Sequence, residues 1–178
     1  TAASAVWMLF TFIAGVLSDK IGRRNIYIIG WIMQFIGVFA LFPLVNTGTI
    51  PSVLAALLIL SVGIGLTYGA QSAFYSELFP ASIRFSGVSI SYALGAILGG
   101  AFSPMISAAI ISTTGSTESV VYYLAGMTLI GLIATLLLKD RSNIPLGPQY
   151  EELQSQSPIY GLKTKGIVLT DDEEIKTA

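Results

Sequence analysis

The ten residues from Gly15 to Arg24, GVLSDKIGRR, combine charge and spacing in a form that can do chemistry: G-x-x-x-D-x-x-G-R-R. Arg23 and Arg24 present planar forks of donors that fit carboxylates or phosphates. Asp19 is an anion that sits well at the N-terminus of a neighbouring helix, where the macrodipole favours negative charge. Gly15 and Gly22 allow close approach or a positive φ at a tight turn. The chemistry on offer is ion pairing. A second charged pair, Glu77 and Arg84, brackets the run ELFPASIR. A third set, Tyr68, Gln71, Ser72 and Tyr75, follows i, i+3, i+4, i+7 and so shares one helical face. Ser89 and Tyr92 share a face on the next apolar stretch, where Ser91 and Ser103 add hydroxyls, and Ser4 is a further candidate. Groups of this kind either bond helix to helix or wall a watery cavity that offers hydrogen bonds to a small molecule. Both readings stand on spacing alone.

Other chemistries are excluded. The chain has no cysteine and no histidine, which removes disulfides, the usual metal ligand and the usual general base. Ser-His-Asp and Cys-His catalysis have no residues to use here. No G-x-x-x-x-G-K-[ST] phosphate loop occurs. The net charge of −1 gives no footprint for nucleic acid. The expectation is no enzyme, no metal and no cofactor.

The elements that must position these groups follow from where the charges are. Of nineteen charged residues, twelve lie from Lys139 onward and four lie in GVLSDKIGRR. Glu77, Arg84 and Glu118 are the rest. A helix that is apolar all round must be buried or in lipid. A span needs about 20 predominantly apolar residues. Five stretches fit: 1–17 (short), 25–44, 51–75, 85–111 and 119–138. The sequence therefore predicts an all-α membrane protein, with a bundle over 1–140 and a tail over 141–178. The short connections predict antiparallel neighbours. Lys and Arg fall in the first connection, the third and the region after the last span, and in neither of the other two. That alternation places those three, and the tail, on the cytoplasmic side, with Thr1 outside.

Gly65-x-x-x-Gly69 and Gly95-x-x-x-Gly99 have the spacing that lets helix backbones approach closely. Gly99, Gly100 and Pro104 together can loosen the fourth span. The second and fifth spans carry few polar groups (Gln34; Thr128 and Thr135) and read as lipid-facing supports. Glu118 reads as a first-turn residue of the fifth helix. The tail is rich in Pro, Gly, Ser, Gln and charge, and the expectation is a mostly disordered segment. Its acidic run Asp171 to Glu174 reads as solvated. The run YEEL (Tyr150 to Leu153) fits a short trafficking pattern that also arises by chance.

GVLSDKIGRR closely resembles the loop signature of the major facilitator superfamily. Y75-SELFPASIR84-FSGVSISYALGAILGG100 resembles the tenth-to-eleventh helix region of that family's metabolite:proton symporter branch. The resemblance covers roughly residues 5–140 and leaves the tail unmatched. It implies helices eight to twelve, most of the C-terminal six-helix half of a twelve-helix transporter, with the missing N-terminal half as its partner. It also implies a plasma membrane location and alternating access for a small metabolite, such as an organic acid, a shikimate-like compound or an osmolyte, with protons. Glu77, Pro80 and Arg84 resemble a motif that pairs with the loop signature, so a gate network with Asp19 and Arg23 is implied. The plainer reading, two interfacial charges, stays open. So do two further alternatives: uniport without proton coupling, and a membrane receptor that signals through its tail. No Asp, Glu or His lies deep in any span, which leaves the proton carrier unassigned.

Overall fold

The computed structural model describes residues 2–116 and 118–159. In chain order the helices are α1 (Ala2–Ile21), α2 (Arg23–Asn46), α3 (Ile50–Leu78), α4 (Arg84–Gly95), α5 (Ser103–Thr114), α6 (Glu118–Leu137) and α7 (Glu151–Gln156). A π-helical turn, Ala96–Ala101, joins α4 to α5. A 3-10 turn, Pro148–Tyr150, leads into α7. Taken together, α4 to α5 form one span, so five helical segments are long and apolar enough to cross a membrane.

The helices run further than the apolar stretches do. Asp19 and Lys20 lie in α1, Arg23 and Arg24 open α2, and Glu77 lies in the last turn of α3. Hydropathy marks the hydrocarbon layer, whereas the backbone ladder continues through the headgroup region. At 1.5 Å per residue the 29 residues of α3 reach about 44 Å, the thickness of the core plus both interfaces. The first connection is consequently one residue. Gly22 has φ 98°, a conformation that a side chain would strain. Its N–H still donates to the Ser18 carbonyl at 3.0 Å, and its carbonyl accepts from Ile26 N at 3.2 Å.

The core centres on α3, which packs along α2 on one side and α1 on the other. Both contacts are set by glycine. A Cβ on Gly63 would lie 2.6 Å from Gln34 N, and one on Gly30 would lie 2.8 Å from Thr67 N, so α2 and α3 touch backbone to backbone. On the other face a Cβ on Gly65 would lie 2.7 Å from Phe10 Cβ, and one on Gly69 would lie 2.7 Å from Ala14 Cβ. Ala14, Ile26, Tyr27, Leu66, Ala70 and Phe74 fill the space between these three helices. A second cluster, Val38, Val121 and Ala125, seats α6 on α2.

The α4–α5 span differs. No residue of either helix is buried. The spacing of Gly95 and Gly99 predicts packing against a neighbouring helix. Among the described residues, nothing lies within 4 Å of a Cβ built at either position. The π turn does occur where Gly99, Gly100 and Pro104 cluster. Proline has no N–H to donate and its ring crowds the carbonyl four residues back, so the regular ladder breaks there.

The tail also departs from expectation at its proximal end. Residues 141–159 are folded against the bundle, with Arg141, Ile144, Gln154 and Ser157 buried. Composition missed this because the contacts are hydrogen bonds to helix-end carbonyls, which hydropathy does not register. The acidic run Asp171 to Glu174 lies outside the described residues; Tyr150 ends the 3-10 turn and Glu151 to Leu153 open α7.

Candidate functional site

At one end of the bundle, the turn at Gly22 delivers Arg23 to the end of α3. Arg23 Nη1 donates to Glu77 Oε1 at 2.6 Å. The Glu77 side chain is only 4% exposed and that of Arg23 is 27% exposed. A charge this far from water persists only with a partner, and removing one member of such a pair costs about 3–5 kcal/mol. Asp19, one helical turn before Arg23, lies 3.4 Å from Arg23 Nη2 and is 67% exposed. It adds little, since exposed pairs at i, i+4 contribute about 0.3–0.5 kcal/mol. Three residues of the expected network, Asp19, Arg23 and Glu77, thus meet as a chain.

Arg84 does not join them, which corrects the expected grouping. Its Nε donates to the carbonyls of Ser76 at 2.8 Å and Phe79 at 3.2 Å. Its Nη1 donates to Leu146 O at 2.9 Å, and its Nη2 to Gln154 Oε1 at 3.1 Å. The physical reason is local. The last carbonyls of α3 have no partners within the helix, and a guanidinium satisfies them while opposing the negative end of the dipole. Arg24 does the same for α6, donating to Leu136 O at 2.9 Å. Arg141 donates to Leu78 O at 2.8 Å and to the Gln154 carbonyl. Burial, and then the nearby Arg84 charge, lower the Arg141 pKa, while Glu77 raises it. Spacing had not singled out Arg141 or Gln154. No motif surrounds either one, because their partners are main-chain atoms.

Further along the helices, a cavity of about 470 Å3 opens between α2, α3 and α4. Tyr68, Gln71, Tyr75 and Tyr92 line it, and Ser91 belongs to it as well. Ser72 and Ser89 are exposed and outside the lining, and Ser4 faces a different hollow beside Trp7 and Tyr68. One rotation about the helix axis separates them: Ser72 and Ser89 flank the face that turns inward. The wall that sequence reading missed is on α2. Tyr27, Trp31 and Gln34 line the cavity, so α2 is more than a lipid-facing support. Their spacing, i, i+4, i+7, is one helical face and was the available signal. The hydroxyls of Tyr27 and Tyr75 lie 3.3 Å apart, and those of Tyr68 and Tyr92 lie 2.9 Å apart. Gln34 Nε2 donates to Thr67 Oγ1 at 2.8 Å. Trp31 Nε1 is buried with no partner among the described residues. The described lining carries hydroxyls, amides and aromatic faces and no formal charge. It can hold a polar molecule by hydrogen bonds and can set an aromatic face against a cation. Among the described residues no group of acidic side chains can hold a metal ion.

The Major Facilitator Superfamily family model matches residues 1–170. Over 135 residues the chain is 35% identical to a citrate-proton symporter of Klebsiella pneumoniae, covering 75% of this chain and 30% of that protein. It is 39% identical to an inner membrane metabolite transport protein of Escherichia coli, covering 72% of this chain and 29% of the relative. It is 32% identical to the shikimate transporter of Escherichia coli, covering 70% and 29%. The chain spans about a third of the length of the curated relatives it matches. No solved structure matches it at a significant level. With a match over nearly its whole length and five helices fit to cross a bilayer, the chain is a multi-pass membrane protein and belongs to the Major Facilitator Superfamily.

Proposed function

We propose that the chain is part of a secondary active transporter that carries a small metabolite by alternating access, coupled to protons, across the plasma membrane. In this reading α1 to α6 supply helices eight to twelve of a twelve-helix bundle, and the N-terminal half completes the path. The end that carries Arg23, Glu77 and Arg84 faces the cytoplasm, as does the tail. The observation that carries the proposal is the juxtaposition of an uncharged polar cavity along α2, α3 and α4 with an ion pair closing the α2–α3 end. A site near the midplane with a breakable contact at one end is what rocking of two halves needs.

The substrate is a small carboxylate, polyol or zwitterion. The relatives' names support this range, since they include citrate, shikimate and proline/betaine carriers. Tyr68, Tyr75, Tyr92 and Gln71 provide the hydrogen bonds, and Tyr27 and Trp31 the aromatic wall. The test is uptake of a labelled panel of these compounds by cells making the full-length protein, with and without a protonophore. Accumulation that collapses with the proton gradient supports symport. Uptake that only equilibrates and is indifferent to the proton gradient makes the protein a uniporter. No uptake of any member refutes the substrate range.

A further inference from the structure

The residues after α6 make a structure that neither the ion pair nor the cavity requires. Lys139 N donates to Ile159 O at 2.8 Å, so the segment leaves the bundle and returns to its starting point. Within this closed loop, Gln154 is 3% exposed and uses every polar atom of its side chain. Its Oε1 accepts from Ala81 N at 2.9 Å and from Arg84 Nη2 at 3.1 Å. Its Nε2 donates to Pro145 O at 2.5 Å and Gly147 O at 3.0 Å. One side chain thereby joins the loop to itself and to the α3–α4 turn. Arg141, 3% exposed, makes a parallel tie from the loop to Leu78 O, the carbonyl next in sequence to Glu77. Both ties end within a few residues of the Arg23–Glu77 pair.

We propose that residues 139–159 are a strap across the α3–α4 turn, with Gln154 as its positioning residue, and that the docked strap stabilises the arrangement in which Arg23 and Glu77 are paired. The strap holds the last turn of α3, and the last turn of α3 holds Glu77. Two contacts that bias one conformation are coupled, and coupling is reciprocal. Opening the ion pair therefore loosens the strap, just as undocking the strap weakens the pair. The consequence for transport rests on the gating reading above; the docking does not.

Ile144, within the strap, is 7% exposed, so Ile144→Cys in the full-length protein, as the single reactive thiol, reports undocking. The probe is a membrane-permeant maleimide applied to intact membranes, with protein abundance and monodispersity in detergent as the folding check. The thiol reacts slowly in the otherwise unaltered protein. Gln154→Ala accelerates it roughly tenfold, the factor expected when a buried hydrogen-bond hub is removed. Glu77→Gln also accelerates it, through the coupling. Ser157→Ala, whose hydroxyl bonds only Leu153 O within its own turn, does not. Fast labelling in the unaltered protein, or no change with Gln154→Ala, overturns the strap. Acceleration by Gln154→Ala but not Glu77→Gln overturns the coupling. Slow labelling that responds as expected, in a protein that takes up no metabolite, keeps the docking and refutes the transport reading alone.

Discussion

The slab formed by α1, α2 and α3 and the single span formed by α4 and α5 have similar compositions and opposite packing. In the slab, glycines on both faces of α3 bring three backbones into contact, and aromatic and aliphatic side chains close around them. In the α4–α5 span glycines are as frequent, but while Gly87 meets the Phe79 ring, Gly95, Gly99 and Gly100 face open space among the described residues, and the ladder is interrupted by a π turn. Apolar side chains gain little by leaving lipid for protein, so contact in a membrane depends on shape and on hydrogen bonds. The slab has both. Its three helices pack closely, with the cavity wall on the α2–α3 side, while the α4–α5 span touches them sparsely among the described residues.

The largest test of this difference is the ion pair that ties the slab's end. Arg23→Ala leaves Glu77, whose side chain is 4% exposed, without its partner. The expected loss is about 3–5 kcal/mol, read as a drop in the thermal unfolding midpoint of the full-length protein in detergent. Glu77→Ala should cost less, because Arg23 is 27% exposed and keeps Asp19 at 3.4 Å, and the double variant should cost less than the sum of the two. Additive losses would mean that the two charges do not depend on each other.

Next in size is Gly63→Val. Its side chain would meet the backbone of α2 at Gln34 N and not a flexible side-chain end. The helices must separate, at a cost near the top of the overpacking range, about 3 kcal/mol. The same thermal midpoint measures it. A loss below about 1 kcal/mol would show that the α2–α3 contact gives way easily, and the slab would then be no more rigid than the α4–α5 span.

These two sites differ in how far they could be read in advance. The five spans were legible because a bilayer imposes length and composition on every helix that crosses it. Gly65 and Gly69 were legible because four-residue spacing is a packing signal, yet Gly95 and Gly99 carry the same spacing and have no described neighbour. Spacing says a backbone can be approached; only the fold says by what. Gly63 and Gly30, which bring α2 and α3 backbone to backbone, sit in no such repeat. Arg23 and Glu77 stood out as charges between apolar runs. Tyr27 and Trp31 did not, because an aromatic ring reads the same to hydropathy whether it faces lipid or a cavity. Resemblance to a family motif implied a gate role for Arg84, whereas its guanidinium meets the carbonyls at the end of α3, and carbonyl partners leave no mark in a sequence.

A smaller effect sharpens the α4–α5 side. Pro104 sits in the first turn of α5, where proline is tolerated, but it also ends the π turn. Pro104→Ala restores a donor and allows α4 to run straight into α5. The expected result is a gain of about 1 kcal/mol in thermal stability, a fraction of proline's full cost in a helix interior. Uptake should slow if the π turn lets the span bend as the cavity opens. Unchanged stability and unchanged uptake together would show that the break is imposed by the glycines and has no bearing on motion.

The smallest change is the most direct comparison with Gly63. Gly99→Ala adds a methyl group where nothing described lies within 4 Å. It also removes the conformational freedom that glycine brings to the unfolded chain. The expected outcome is neutral to stabilising, by about 0.5 kcal/mol, against a heavy loss at Gly63 for a residue of the same type in a helix of similar polarity. Both are measured by thermal unfolding of the full-length protein in detergent. A loss of more than about 1 kcal/mol at Gly99, the size expected of an overpacked contact, would mean that this face meets helices beyond the described residues. The openness of the α4–α5 span would then belong to this part of the protein alone, and the moving surface would have to be sought between that span and the slab.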